Sequence, residues 1–160
     1  MEKTQSNLRL IRFCGEELYP IESATWHFHK SEEDNINELW LEIKADYGQQ
    51  LSEDTKYLEK QPHWELTIKI ENLKLTDFVS GFKTEIESGF DEESEDYLTN
   101  FYYCEHEPSD NNSIEIVERN ENQILFRIEG EITDVNYYDG SKPNNKIIVE
   151  TWFENGLTLT

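Results

Sequence analysis

Trp64-Glu65-Leu66-Thr67-Ile68-Lys69-Ile70 decides the fold. Its apolar side chains fall at every second position and its polar ones between them, the alternation of a strand with one face buried and one face wet. A face that meets water is the habit of antiparallel sheets, since parallel sheets are covered on both sides. Working outward, Leu39, Leu41 and Ile43 repeat the pattern, as do Ile124, Phe126 and Ile128. The last run continues past Gly130 to Ile132, where the glycine marks a bulge or bend. Further strands are expected near residues 8–13, 25–29, 98–104 and 113–118, and over 147–153, whose two faces both read as largely apolar. Residues 119–122 and 139–145 are turn-rich links between strands, the first strand of the latter pair ending near Tyr138. Asn155-Gly156 suits a tight type I′ turn.

Helix signals are few. Ser52 caps a turn or two that Glu53 and Asp54 favour at its start, with Lys60 at its end and Pro62 beyond. Residues 76–80 read as a short helical turn leading into a strand, because Ser80-Gly81 interrupts the helical spacing of Leu75, Phe78, Val79, Phe82 and Ile86. The expected architecture is all-β, mostly antiparallel, and one domain over 1–160. It is a β-sandwich or closed barrel of about eight to ten short strands with one or two helical turns.

Composition bounds the function. The chain has 160 residues, 35 acidic against 14 basic, and a formal net charge of -21. Phosphate backbones and anionic lipid surfaces repel such a chain, so neither direct nucleic-acid binding nor membrane binding is expected. Acidic disordered chains are poor in aromatics, whereas this one holds 4 Trp, 8 Tyr and 8 Phe, enough for a packed core. The first seven residues lack a basic flank and apolar run, and no stretch has the length of a membrane span, so a cytoplasmic protein is expected. Cys14 and Cys104 stand alone in sequence and read as two thiols of a reducing compartment.

Residues 84–118 hold twelve acids and no Lys or Arg. The densest part is Asp91-Glu92-Glu93-Ser94-Glu95-Asp96-Tyr97, and Glu105 and Glu107 follow. Charge runs are most often solvated faces, but this one also suits docking of a basic protein, which long-range attraction steers. Phe101-Tyr102-Tyr103 and Asn136-Tyr137-Tyr138 each turn neighbouring rings to opposite sides of a strand. Tyr102 or Tyr138 then either covers a sheet face with its hydroxyl in water or serves as an exposed anchor beside the acids. A calcium loop is disfavoured, because the run lacks the regular acid spacing that such loops use.

His27 and His29 share one strand face, and Cys104 and His106 another, the alternation from which a transition-metal site can be built. A His-x-His alone is common on ordinary outward faces, so no metal or other cofactor is assigned. No nucleophile elbow, activated cysteine or phosphate-cradling glycine motif occurs, and catalysis is not expected. The leading expectation is a non-enzymatic domain that docks a basic protein through Asp91, Glu92, Glu93, Glu95, Asp96, Tyr97, Tyr102, Glu105 and Glu107. A bacterial immunity protein neutralising a toxin fits that size and charge. The alternative is a β-barrel holding a small ligand or metal, conceivably a metalloenzyme, with His27, His29, Cys104 and His106 at its mouth. A DNA mimic, with acids in regular rows, is a third.

Overall fold

A computed structural model describes residues 6–50, 60–135 and 139–156. Its thirteen strands among these residues are β1 (Asn7–Arg12), β2 (Gly15–His29), β3 (Ile36–Ala45), β4 (Gln49–Gln50), β5 (His63–Glu71), β6 (Lys83–Ile86), β7 (Phe90–Asp91), β8 (Asp96–Tyr97), β9 (Thr99–Tyr102), β10 (His106–Glu107), β11 (Asp110–Arg119), β12 (Gln123–Ile132) and β13 (Asn145–Asn155). The main sheet runs β10-β9-β5-β3-β2-β1-β13-β12-β11-β6, with β4 beside β2, while β7 and β8 pair as a separate hairpin. All pairings are antiparallel except the short contact of β13 with β2.

The fold is therefore all-β and sandwich-like, and the closed-barrel alternative is overturned, because β10 and β6 end the strand order without pairing. Two strands bend the sheet upon itself. Residues 15–20 of β2 pair with β1, whereas its later residues pair with β3, with a register shift between Ile21 and Ser23. Pro20, which has no N–H for a ladder, sits where the strand changes partner. In the same way β13 pairs β1 through Lys146, Ile147 and Ile148, then meets Thr25 and Trp26 of β2 through Glu154 and Asn155. Six-residue β1 is thus a wedge between two longer strands that rejoin beyond its end.

Every strand named from alternation is present, and its alternate residues fill one core. Leu39, Leu41, Ile43, Trp64, Leu66, Ile68, Ile124, Phe126, Ile128 and Ile132 are all buried there. The described residues form thirteen strands rather than eight to ten, because four of them, β4, β7, β8 and β10, are only two residues long, while β2 at 15 residues is not short. In β13, Ile147, Val149 and Phe153 point inward while Lys146, Glu150 and Trp152 are exposed, so only one of its faces is core. The helical turn is a single 3-10 turn at Leu75–Asp77, one residue earlier than expected and held by Asp77 accepting from the Lys74 N–H. The region of Ser52, Glu53 and Asp54, the Tyr137-Tyr138 pair and the residues after Gly156 lie outside the described residues. No helix among the described residues is long and apolar enough to cross a membrane.

Gly130 does not bulge its own strand, because its pairing with β13 runs without a shift. The extra residue lies opposite, in β11, where Asn111 and Asn112 stand between the pairs Asp110–Glu131 and Ser113–Glu129. Asn111 takes up a left-handed backbone there, with φ of 49°. A Cβ on Gly130 would come within 2.4 Å of Asn112 Oδ1 and 2.9 Å of Trp64 Cζ2. The glycine is required by close packing of the bulged strand and the tryptophan.

A buried ionic cluster closes one end of the core. Arg12 donates from Nε and Nη2 to the two oxygens of Asp134 at 3.0 and 3.2 Å, and from Nη1 to Glu17 at 3.3 Å. Glu17 also accepts from the hydroxyls of Tyr19 and Tyr103, the latter at 2.7 Å. Burial works against the Arg12 charge, but the hydrogen bond and charge of Asp134 outweigh it and hold the guanidinium above its ordinary value. Burial, and then hydrogen bonding within the cluster, pushes both tyrosines well above the ordinary phenol value of 10.0.

This has a consequence in alkali. The unfolded phenols release protons above about pH 10 while the folded ones keep theirs, so stability is intact below that pH and falls as pH rises past it. Each phenol contributes a loss of up to about 1.4 kcal/mol per pH unit. Urea midpoints measured between pH 9 and 11 should fall steeply for the parent chain and less steeply for Tyr103→Phe; parallel curves would contradict the assignment.

Candidate functional site: an acidic and aromatic sheet face

Cross-strand partners share a sheet face, so register assembles the outer surface of β2, β3, β5, β9 and β10. One row runs His27, Trp40, Thr67; the next, Thr25, Glu42, Glu65, Asn100; the next, Ser23, Lys44, His63, Tyr102, His106. These are the polar positions of strands whose alternate residues form the core, including Leu41, Trp64 and Phe101. All four histidines of the chain lie on this face.

Aromatic rings stand at its centre. Trp40 is exposed and lies between two imidazoles, stacked on His27 and on His29 with centroids 5.1 Å away in each case, while its indole N–H donates to Glu38 at 2.8 Å. Tyr102 is exposed and packs on His106 at 4.6 Å, and Asn100 holds the His106 ring through Nδ1 at 2.9 Å. Phe101 and Tyr103 on either side of Tyr102 are buried, so alternation separates the three rings as expected. A cleft of about 350 Å³ opens between these groups, lined in part by Glu65, Thr67, Tyr97, Asn100 and His106.

The acidic run enters this face as the β7–β8 hairpin. Gly89 begins it, accepting backbone hydrogen bonds from Leu98 and Thr99 while its own N–H donates to Asp110. A Cβ on Gly89 would stand 2.4 Å from the Ser109 carbonyl oxygen, so the hairpin base can be this close only with glycine. Thr99, Ser109 and Asn112 form a buried polar cluster beneath it that also takes the Trp64 indole N–H. At the tip, Asp91 accepts from the Glu93 N–H and the Ser94 hydroxyl, and the Ser94 bond first, then the backbone, holds its carboxyl below the usual range. Phe90 and Tyr97 pack together across the hairpin at 4.9 Å.

Glu92, Glu93, Glu95 and Asp96 are exposed on that hairpin, with Glu95 in a left-handed turn conformation. Asp96 is 3.9 Å from Lys69, which also lies 3.7 Å from Glu38 on β3, so this lysine ties the hairpin to the sheet face. On its other side, Asp91 and Glu92 join Glu85 and Glu87 around a second cleft of about 290 Å³, lined also by Thr67 and Lys69 of β5 and Thr84 of β6. Glu105 and Glu107 flank His106; burial, then repulsion from Glu105, raises the Glu107 carboxyl. Glu115 belongs to β11, 3.8 Å from Lys83. The acidic run is thus divided between β6 and its end, the hairpin, the β10 edge and β11.

The four metal-ligand candidates His27, His29, Cys104 and His106 do not assemble into one ligand group. His27 and His29 are spent on either side of Trp40, and His106 is held by Asn100 and Tyr102. Neither cysteine is in a disulfide. Among the described residues, the one group of three or more potential ligands within reach of each other is Glu42, His63 and Glu65. Sequence reasoning passed over His63, although it adjoins inward-facing Trp64 in the clearest strand and alternation therefore places it outside. Glu38, Glu42, Trp40 and Glu65 were likewise outward positions whose neighbours only the register reveals.

Comparison of the chain with protein-family models, with curated proteins and with solved structures found no match.

Proposed function

We propose that the chain is a non-enzymatic binding domain that docks a positively charged protein through the outer face of β2, β3, β5, β9 and β10 and the hairpin beside it. The observation that carries this reading is the grouping of exposed Trp40, Tyr97 and Tyr102 with Glu38, Glu42, Glu65 and Asp96. Aromatics in the middle and charge around them is the anatomy of a protein-binding patch, in which rings supply most of the energy and charges steer the encounter. Lys44 and Lys69 on the face each lie within ion-pair distance of its carboxylates. A partner rich in Lys and Arg would replace repulsion among the remaining acids with attraction. An immunity protein that neutralises a basic toxin is the biological role that best fits so small and acidic a module.

Charge reversal tests it. Glu92, Glu93 and Glu95 are exposed, and Asp91, which shapes the turn, is left intact. The triple change Glu92→Lys, Glu93→Lys, Glu95→Lys should shift stability by no more than about 0.5 kcal/mol per site. It should slow association with a cationic protein retained from the source lysate at low salt by about tenfold or more, with little change in dissociation. Equal association rates for variant and parent would dismiss the docking face.

A further inference from the structure

We propose that Glu42, His63 and Glu65 form a binding site for one divalent transition-metal ion, with Zn²⁺ as the natural occupant. His63 Nε2 lies 3.7 Å from Glu42 Oε2 and 3.4 Å from Glu65 Oε1. These are not hydrogen bonds: Nε2 is itself buried and has no hydrogen-bond partner, although the rest of the ring is partly exposed. An imidazole nitrogen withdrawn from water and left unbonded beside two carboxylates lacks something between them.

A cation supplies it. Zinc binds nitrogen and carboxylate oxygen at about 2.0–2.2 Å, and tetrahedral angles then separate neighbouring ligand atoms by roughly 3.4 Å. The two separations are close to such ligand edges, and all three ligand atoms lie within 4.8 Å of one another. The three residues come from adjacent strands in direct register, Glu42 opposite Glu65 and His63 two positions before Glu65, so a rigid ladder holds them. Lys44 lies 3.4 Å from the other oxygen of Glu42, which orients that carboxylate with Oε2 toward His63. Glu65 also lines the 350 Å³ cleft, so a fourth coordination position would open toward Asn100 and His106. Three protein ligands with one open position is the pattern of a zinc site that accepts water or an outside ligand. The site does not depend on the docking reading, and either can fail alone.

The test uses the full chain, stripped with a chelator and titrated with Zn²⁺ by calorimetry and with Co²⁺ by visible absorption. One tight equivalent per chain is expected, with the visible bands of four-coordinate cobalt. His63→Gln and Glu65→Gln should each weaken Zn²⁺ binding at least about tenfold, while His27→Gln leaves it unchanged. Glu65 is exposed, so its variant remains informative even if His63→Gln disturbs the fold. Only weak binding of several equivalents without cobalt bands, or tight binding that survives both substitutions or is lost with His27→Gln, overturns the site.

Discussion

Replacing Arg12 with Ala should cost about 3–5 kcal/mol of folding stability, a large part of the 5–15 kcal/mol typical of a domain. The reason is what remains rather than what is removed. Glu17 and Asp134 are both fully buried, and Arg12 is the cation that each of them meets. Without it, two buried carboxylates lose the guanidinium that meets them both. A large drop in the urea midpoint of Arg12→Ala is therefore expected. Adding Glu17→Gln and Asp134→Asn to that variant should recover part of the loss, because the stranded charges disappear. Were the triple variant as unstable as the sum of separate losses, packing and not uncompensated charge would be the cause.

Trp64→Ala should destabilise by a similar amount, about 3–5 kcal/mol. Its ring is fully buried, meets Phe101 edge-on at 6.3 Å, lies against Gly130, and donates from Nε1 to Ser109 at 3.0 Å. Truncation leaves a cavity that Gly130, with no side chain, cannot fill, and it deprives the Thr99, Ser109 and Asn112 cluster of one donor. The base of the acidic hairpin rests on that cluster, so hydrogen exchange at Leu98 and Thr99 should quicken along with global unfolding. Trp40→Ala gives the contrast. Trp40 is 41% exposed, and its loss should change stability by less than about 1 kcal/mol while removing the central ring of the proposed docking face. Equal destabilisation by the two substitutions would mean that the sheet face is not the outside of the fold.

The difference between these tryptophans was legible in the order of residues. Trp64 is followed at alternate positions by Leu66 and Ile68, whereas Trp40 falls between Leu39 and Leu41. Side-chain direction in a strand reverses at each residue, so a local pattern assigns inside and outside without knowledge of partners. The same logic located the strands around residues 39, 64 and 126 and the exposure of Tyr102, whereas the strand around 149 was read as apolar on both faces and is core on one. That logic failed for Arg12, Glu17 and Asp134, whose polar character predicts solvent; their burial rests on partners far along the chain, Arg12 with Asp134 over 122 residues and Glu17 with Tyr103 over 86.

Strand identity, the burial stripe and the excess of negative charge were therefore determined by the amino-acid order, because each is a property of neighbours in the chain. Strand order, the failure of the sheet to close, and the meeting of Glu42 with His63 and Glu65 were decided by tertiary structure alone. Pairing register is set by how whole strands bury their apolar faces together. A polar residue on the opposite face has no influence on that choice, yet acquires its neighbours from it.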